Sequence, residues 1–475
     1  MKPERTTSGP ELLLALDRTG RPPLRGQLEQ ALRAAIRSGR LAAGSRLPST
    51  RVLAADLGVS RGLVVEAYAQ LTGEGYLDAR PGSGTRVAPG LVAHPPPARG
   101  GAGGAPPAGL AIDFRPGVPE LGAFPRVEWA GALRRAVLGA PTAAFGYGDP
   151  AGAAGLRVAL ADYRGRVRGV EAGGGDVLVT AGFAQGLALL ARALPSRLGR
   201  RVGVEDPGSP GTRDQLAGNG LEPVPVAVDA EGLRVEELAR SAARLVVVTP
   251  AHQAPTGVVL SPARRAALLA WARASRGLIV EDDYDAEYRY DRDPVGALQG
   301  LAPDLVCYAG SVSKTLAPAL RIGWMVPPPT LRSLLATAKA DDDLGCPTLE
   351  QLALADLLDS GAYDRHLRRS RARYRRRRDA LVAAIGRHAP GLRVGGTAAG
   401  LHAVVALGQE VDEEELVRRA AVEAGVGLHG LTPWRVAARG APGLVLGYAS
   451  LTEHQIADGI RRVAALLPAR GRLAT

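Results

Sequence analysis

A proline- and glycine-rich stretch divides this chain of 475 residues into two parts. Twelve of the 22 residues from 89 to 110 are proline or glycine. Proline stiffens the first half of the stretch and glycine loosens the second, so it cannot contribute to a packed core. We therefore predict a head domain at residues 10–88, a flexible linker at residues 89–110 and a body domain at residues 111–475.

The composition is typical of a globular protein with a polyanionic partner. Hydrophobic residues make up 46% of the chain, charged residues make up 22%, and the formal net charge is +12. The excess of basic over acidic residues favours a nucleic-acid partner, although the high arginine usage of the chain as a whole accounts for part of this excess. The two cysteines, Cys307 and Cys346, are too few for a disulfide framework. Because there is no metal-ligand cluster and no apolar run near the roughly 18 residues of a membrane span, we expect a cytoplasmic protein without a metal.

In the body, short apolar runs rich in β-branched residues alternate with helical patterns. Such runs are typical of buried parallel strands joined by crossover helices. The predicted fold class is therefore α/β, with a mainly parallel sheet that places ligands at the carboxyl ends of its strands. From about residue 365 a helix leads into a smaller α+β subdomain. The predicted strands are 177–180, 201–204, 244–249, 278–280 and 305–308, and one predicted helix is 262–276.

The head has the pattern of helices joined by a tight turn. Residues 24–38 have helical apolar spacing, the run 47–58 predicts a capped helix that ends in a glycine turn, and Ser60 predicts the N-cap of the next helix. This arrangement is a helix-turn-helix, whose second helix presents its first side chains to the major groove of DNA. Residues 75–87 then predict a hairpin wing with Gly82 at its tip.

The head closely resembles the GntR-type winged helix-turn-helix domain. The matching motifs are Leu-Pro-Ser-x-Arg from Leu47, Leu-Gly-Val-Ser-Arg from Leu57, Glu-Gly-Tyr-Leu from Glu74 and Gly-Ser-Gly-Thr from Gly82. The resemblance implies that DNA is contacted by Arg51, Ser60, Arg61, Arg80 and Gly82. One polar contact of the family is missing, because the residue after Arg61 is Gly62. The alternative is a helical interaction module that does not bind DNA. In that case the exposed, regularly spaced basic residues of the head would have no role.

Lys314 is one of only three lysines in a chain that has 56 arginines. A primary amine forms an imine with an aldehyde and a guanidinium does not, so we expect Lys314 to serve chemistry rather than charge. An aldehyde cofactor with a pyridine ring also needs a carboxylate for its ring nitrogen and a donor for its phenolic oxygen. Asp282 and Tyr284, at the end of a predicted strand, supply these groups. The predicted cofactor is pyridoxal 5'-phosphate, and a surface lysine is the alternative.

The phosphate of such a cofactor needs backbone amides at a helix N-terminus and a cation. The segment 179–186 runs from a predicted strand into a predicted helix. A serine stands three residues before Lys314 and an arginine seven residues after it. The candidates are Gly182, Phe183 and Ala184 for the amides, and Ser311 and Arg321 for the side chains.

The body resembles the fold-type I aminotransferases along nearly its full length. The landmarks are Phe-Gly-Tyr-Gly-Asp-Pro-Ala-Gly at 145–152, Glu-Asp-Pro-Gly at 205–208, Pro-Thr-Gly at 255–257, Glu-Asp-Asp-Tyr at 281–284 and Ser-Val-Ser-Lys at 311–314. Head and body together resemble the MocR-type regulators, a GntR subfamily with an aminotransferase-like effector domain. The resemblance implies a head-to-tail homodimer with shared sites, in which Tyr147 reaches the phosphate in the neighbouring subunit.

The body departs from the aminotransferase pattern at several contacts. Ala254 replaces an asparagine beside the phenolic oxygen, and Ser209 replaces the aromatic residue that stacks on the pyridine ring. Apolar side chains replace polar ones at 183–184, and the segment 443–449 lacks the arginine that binds a substrate carboxylate. These departures favour a sensor over an enzyme, and they leave open a body that has lost the cofactor.

Three further features allow more than one interpretation. The run 365–378 contains nine arginines, which form either a solvated helix face paired with acids or a basic ridge along DNA. His252 and His402 are predicted to be hydrogen-bonded core or supporting residues rather than acid–base groups. The ring-nitrogen partner assigned to Asp282 can shift by one residue to Asp283.

These observations predict a transcriptional regulator that senses pyridoxal phosphate, or an amine through it, and controls genes of vitamin B6 or amino acid metabolism. A change in the body is expected to alter how two heads of a dimer match two operator half-sites. One rival is a working aminotransferase with a DNA-binding head, which predicts steady turnover where a sensor has at most weak transaminase activity. The other is a regulator that has lost the cofactor.

Overall fold

The computed structural model describes residues 16–18, 21–80, 84–89, 110–290, 295–437 and 440–468. The chain divides into two compact units, Met1–Pro106 and Pro107–Thr475. Each unit has its own hydrophobic core. Most of the predicted linker lies outside the described residues, and the domain boundaries at 10, 88 and 111 stay a prediction.

In the first unit, three helices are followed by a hairpin. Helices α2 (Thr50–Leu57) and α3 (Arg61–Gly73) are each capped by a serine whose hydroxyl accepts a hydrogen bond from a backbone N–H. Ser49 accepts from Val52 and Ser60 accepts from Leu63, both at 3.3 Å. Gly58 between them has φ +59°, a left-handed conformation that glycine adopts without strain. The predicted helix-turn-helix is confirmed. The elements are α1 (Leu24–Arg37), α2 (Thr50–Leu57), α3 (Arg61–Gly73), β1 (Leu77–Arg80) and β2 (Gly84–Val87).

The strands of the second unit are β3 (Ile112–Asp113), β4 (Leu178–Thr180), β5 (Arg201–Asp206), β6 (Glu222–Asp229), β7 (Gly232–Leu233), β8 (Leu245–Val248), β9 (Leu278–Asp283), β10 (Val306–Ser311), β11 (Gly323–Val326), β12 (Arg393–Gly395), β13 (His402–Ala406), β14 (Val426–Gly427) and β15 (Gly443–Gly447). The central sheet has the order β4-β11-β10-β9-β8-β5-β6-β7. From β10 to β6 neighbouring strands are parallel, while β11 is antiparallel to both neighbours. The predicted α/β class is confirmed, and all five predicted strands are present.

The helices of the second unit are α4 (Arg126–Gly139), α5 (Ala154–Arg168), α6 (Phe183–Ala193), α7 (Pro195–Leu198), α8 (Pro210–Gly218), α9 (Val235–Arg240), α10 (Pro262–Ser275), α11 (Arg332–Asp343), α12 (Thr348–Asp359), α13 (Ala362–His388), α14 (Glu413–Ala424) and α15 (Glu453–Ala464). Both faces of the central sheet are buried. Val247 and Val280 pack in a core with α6 and α11, whereas Val246 and Ile279 pack in a core with α9 and α10. Burial on both faces explains why these strands are apolar at consecutive positions.

The C-terminal subdomain is a small antiparallel sheet of β12, β13 and β15 that shares a core with α14 and α15. This is the α+β subdomain that the sequence predicts. In the described ranges, no helix is long and apolar enough to cross a membrane. The same ranges contain no cluster of three potential metal ligands, and both cysteines are free thiols.

Helix α13 distributes the arginines of the run 365–378 around its axis. Arg373 and Arg377 bind the carboxylate of Glu120 at 2.7 and 2.9 Å. Arg368 and Arg375 are exposed, and no carboxylate of the described chain pairs with them. Part of the run therefore stabilises the fold, as the first interpretation predicts, while contact of its exposed part with DNA stays a prediction.

Candidate functional site

Lys314 lies three residues beyond the end of β10, at the carboxyl edge of the parallel strands. Its Nζ atom donates a hydrogen bond of 2.7 Å to the carbonyl of Gly117. Burial lowers the pKa of this ammonium, against the opposing effect of the Asp282 and Asp285 carboxylates. A lower pKa increases the share of neutral amine, which is the form that attacks an aldehyde.

Asp282 and Asp283, adjacent on β9, point to opposite faces and have different environments. Asp283 is buried and paired with Arg168 at 2.8 Å. Asp282 has no hydrogen-bond or ion-pair partner in the described part of the chain. Burial, and next the charge of Asp283, raise the pKa of Asp282 to about 8. A protonated pyridine nitrogen is the kind of partner that Asp282 lacks, and this favours Asp282 over Asp283 for that role.

Tyr284 belongs to a small network on the same edge of the sheet. His252 Nδ1 lies 3.0 Å from both the Tyr284 hydroxyl oxygen and Asp285 Oδ2. Because a carboxylate only accepts, the network assigns the Nδ1 proton to a bond with Asp285, shared with the Tyr284 oxygen. The Tyr284 phenol also has the Asp285 carboxylate as a hydrogen-bond partner. Burial, followed by the Asp285 charge, raises the pKa of Tyr284 and keeps it a phenol.

The residues predicted to hold a phosphate lie around the start of α6. Gly182 is the N-cap of this helix and has φ +82°, and a Cβ atom there would lie 2.9 Å from an Arg321 nitrogen. Arg321 in turn donates to the carbonyl of Ala181. Ser311 pairs with Gly323 in the neighbouring strand, and Gly323 pairs with Thr180. The first amides of α6, at Phe183 and Ala184, therefore face the same corner as the guanidinium and the serine.

The predicted residue Tyr147 and the two departures Ser209 and Ala254 have the following surroundings. Tyr147 is 91% exposed and lines a surface cavity with residues 343–351, and Lys314 is not among the lining residues. Ser209 caps α8 by accepting a hydrogen bond from the Thr212 N–H at 3.3 Å, and it offers no ring. Ala254 offers no polar side chain.

Glu205, at the carboxyl end of β5, was not among the predicted site residues. It is buried and accepts hydrogen bonds from the Thr249 hydroxyl at 2.5 Å and from Gln253 Nε2 at 3.2 Å. Burial raises its pKa to about 7. A strand that ends in Glu-Asp-Pro-Gly was the available signal, because an acid at a carboxyl edge lies where ligands bind.

His252 and His402 are buried and hydrogen-bonded, as predicted. His402 Nε2 lies 3.1 Å from the carbonyl of Pro255, and the two imidazole rings have centroids 5.6 Å apart. Burial, and next the neighbouring His252, lower the pKa of His402 to about 4. His402 is therefore neutral at pH 7, and its Nε2–H donates to the carbonyl.

In the first unit, the residues predicted to contact DNA lie on the exposed side of the helix-turn-helix. Arg51 and Arg61, in the first turns of α2 and α3, are exposed and have no carboxylate partner in the described chain. Ser60 caps α3. Arg80 is paired with Asp78 at 3.1 Å, so part of its charge is already compensated. Gly82 lies outside the described residues.

Two family models match the chain. The model of bacterial regulatory proteins of the gntR family matches residues 24–87, and the model of class I and II aminotransferases matches residues 117–464. A winged helix-turn-helix with a fold-type I aminotransferase domain defines a class of transcriptional regulators.

Full-length relatives of the same class are similar to the chain. The probable rhizopine catabolism regulatory protein MocR of Rhizobium meliloti is 36% identical, over 94% of both chains. The pyridoxine biosynthesis transcriptional regulator PdxR of Corynebacterium glutamicum is 35% identical, over 90% of this chain and 92% of the relative. The chain therefore belongs to the MocR-type subfamily of GntR transcriptional regulators.

Solved aminotransferase structures resemble the body. Kynurenine aminotransferase of Pyrococcus horikoshii, in complex with PMP, has a TM-score of 0.69 and 27% identity, and the match covers 74% of this chain and 90% of that one. The α-aminoadipate aminotransferase LysN of Thermus thermophilus, complexed with N-(5'-phosphopyridoxyl)-L-leucine, has a TM-score of 0.68 and 29% identity over 75% and 92%. The body thus has the fold of pyridoxal phosphate enzymes.

Proposed function

We propose that this chain binds pyridoxal phosphate at Lys314 and changes its affinity for DNA when the cofactor, or an amine ligand, occupies the site. The observation that carries the proposal is the half-buried Asp282 near Lys314, a carboxylate without a hydrogen-bond or ion-pair partner in the described chain. A carboxylate that is largely withdrawn from water and has no partner is costly unless a cation binds there, and a protonated pyridine nitrogen is such a cation.

Each proposed contact is made by a residue suited to it. When bound, the cofactor supplies an aldehyde that condenses with a primary amine. Lys314 would bind this aldehyde, Asp282 the ring nitrogen and Tyr284 the phenolic oxygen. The phosphate would be held by Ser311, Arg321 and the amides of Gly182, Phe183 and Ala184, with Tyr147 from the neighbouring subunit of a head-to-tail dimer. We propose that the head reads double-stranded DNA in the cytoplasm.

Sensing rather than turnover is favoured by the segment Gly443–Gly447, which forms β15 without an arginine for a substrate carboxylate. The similarity to a regulator named for pyridoxine biosynthesis supports the cofactor itself as one signal. A working aminotransferase would instead show steady keto acid formation with an amino donor.

We expect the purified protein to acquire a visible absorbance band on addition of pyridoxal phosphate, and Lys314→Ala to abolish the band. Because the chain has only three lysines, borohydride reduction and peptide mass mapping identify the modified one. Lys2→Arg is the matched control and should keep the band. A flat spectrum at saturating cofactor, or a label on Lys2 or Lys339, would contradict the proposal.

In the head, Arg61→Ala is expected to weaken operator binding by roughly 1–3 kcal/mol and to affect random DNA far less. Arg61 is the first residue of α3 and its charge is uncompensated. Arg25→Ala is the control, because Arg25 is already paired with Glu29 at 2.8 Å. Gel-shift titrations at fixed salt measure both. Equal weakening on operator and random DNA would limit Arg61 to phosphate contact.

A further inference from the structure

A segment of the C-terminal subdomain, residues 433–437, is bound to the end of β5, the turn that follows it and the start of α8. Five hydrogen bonds of 2.7–3.0 Å join the described residues of the two segments. This turn includes Ser209, where fold-type I aminotransferases carry the aromatic residue over the cofactor ring. The donor–acceptor pairs are Gly208 N to Trp434 O, Arg213 to Trp434 O and Pro433 O, and Val436 N and Ala437 N to the Asp206 carboxylate.

These five hydrogen bonds, which we call the clamp, place Trp434 at one end of a row of rings. The half-buried Trp434 ring lies nearly parallel to the His402 ring, with an angle of 25° and centroids 6.4 Å apart. His402 lies against His252 at 5.6 Å, and His252 contacts the Tyr284 hydroxyl. The row therefore leads from the clamped segment to the Tyr284 phenol.

The two rings at the clamped end of this row, Trp434 and His402, carry no charge at neutral pH. His402 is neutral, and its Nε2–H is occupied by the Pro255 carbonyl. The adjacent strand β15 presents apolar residues and no arginine. A carboxylate placed against this surface would lose hydration without gaining a partner, whereas an aromatic group would gain ring contacts.

We propose that Trp434 and His402 form an aromatic wall of the ligand site and select primary amines with an apolar or aromatic substituent over amines that carry a carboxylate. This inference rests on the proposed binding of pyridoxal phosphate at Lys314. Trp434 then takes the place of the ring that Ser209 does not provide, and it reaches the site from the other subdomain. The backbone of the segment makes the clamp, so the Trp434 side chain is replaceable without loss of those hydrogen bonds.

The test uses the full chain loaded with pyridoxal phosphate and two primary amines as probes, 2-phenylethylamine and 3-aminopropanoate. Each is titrated against the Lys314-dependent absorbance band. We expect the wild type to bind the aromatic amine at least about tenfold more tightly, Trp434→Ala to reduce this preference to about threefold or less, and Trp434→Phe to retain most of it. Trp129→Phe is the matched control, because Trp129 packs against Phe124 instead of the histidines.

Tryptophan fluorescence gives a second readout. The chain has four tryptophans, and we expect Trp434→Phe to remove the largest single share of the quenching that the cofactor causes. An intact band with no preference for the aromatic amine, or with a preference that Trp434→Ala leaves unchanged, overturns the aromatic wall and leaves the proposed function in place. The absence of any Lys314-dependent band overturns both.

Discussion

Replacement of Arg168 by methionine is expected to lower the free energy of unfolding by about 3–5 kcal/mol, because it leaves a buried carboxylate without its counter-charge. The Arg168 and Asp283 side chains are each 1% exposed, and hydrogen bonds of 2.8 and 3.1 Å join them. Arg168 also donates to the carbonyl of Val295. Urea-induced unfolding at pH 7 measures the loss.

The effect of Arg168→Met should depend on pH in a defined direction. Burial alone would raise the pKa of Asp283, but the Arg168 guanidinium outweighs burial and holds this pKa below its usual range. A lowered folded-state pKa contributes stability above the unfolded pKa of about 3.9 that is lost as pH falls through the folded value. Without the guanidinium, burial raises the Asp283 pKa of the variant, and protonation then relieves its destabilisation. The difference between wild type and variant should therefore be largest at pH 7 and above and shrink steadily as pH falls from neutral through about 4.

Arg166→Met is the matched control for this prediction. Arg166 lies on the same helix but is 62% exposed, and its ion pair with Asp364 is 3.5 Å long. Its loss should change the unfolding free energy by no more than about 0.5 kcal/mol. The double variant Arg168→Met with Asp283→Asn should recover part of the loss, because no charge then stays buried alone. Equal effects at 166 and 168 would show that the buried pair contributes no more than a surface one.

Asp282→Asn is expected to stabilise the cofactor-free protein at pH 8 by at least about 2 kcal/mol and to weaken pyridoxal phosphate binding at least about tenfold. Burial and the charge of Asp283 raise the pKa of Asp282 from 3.8 to about 8. Between these values the folded protein holds a proton that the unfolded chain has released. Stability therefore falls as pH rises from about 4 to 8, and asparagine removes this slope.

Thermal unfolding between pH 4 and pH 9 without cofactor tests the first part, and cofactor titration tests the second. Asp341→Asn, at an exposed position on α11, makes the same change in net charge and should leave both unchanged. A lower melting temperature for Asp282→Asn at pH 8 would show that the carboxylate has a stabilising partner in the folded protein. Unchanged cofactor affinity would remove Asp282 from the proposed site.

The sequence patterns missed strands β6 and β11 for identifiable physical reasons. Strand β6 contains Pro223 and Pro225, which normally argue against a strand. The Glu222 N–H donates to the carbonyl of Arg200, on the side of the strand that faces β5. Because successive residues of a strand point their backbone nitrogens to opposite sides, the two proline nitrogens face away from β5. On that side β7 pairs only with Val228 and Asp229. The prolines, which have no backbone N–H, therefore remove no hydrogen bond between strands. Strand β11 is antiparallel to both neighbours, an order that a βαβ pattern does not contain.

Residue types and short spacings determined much of this protein by themselves. The serine caps and glycine turn of the helix-turn-helix are local, because each cap bonds a backbone N–H three residues away. The apolar runs specified buried parallel strands, and an amine, an acid and a phenol at strand ends specified the chemistry of the candidate site. These inferences need only neighbours along the chain.

Only the tertiary structure decided which of these groups meet. The direction of β9 between β8 and β10 faces Asp282 toward Lys314 and Asp283 toward Arg168. The buried bonds of Glu205 with Thr249 and Gln253 join separate strand ends, and the clamp brings Trp434 to the turn after β5. Such contacts join residues far apart in sequence, and no local periodicity encodes them, because their geometry is set by how strands and subdomains pack.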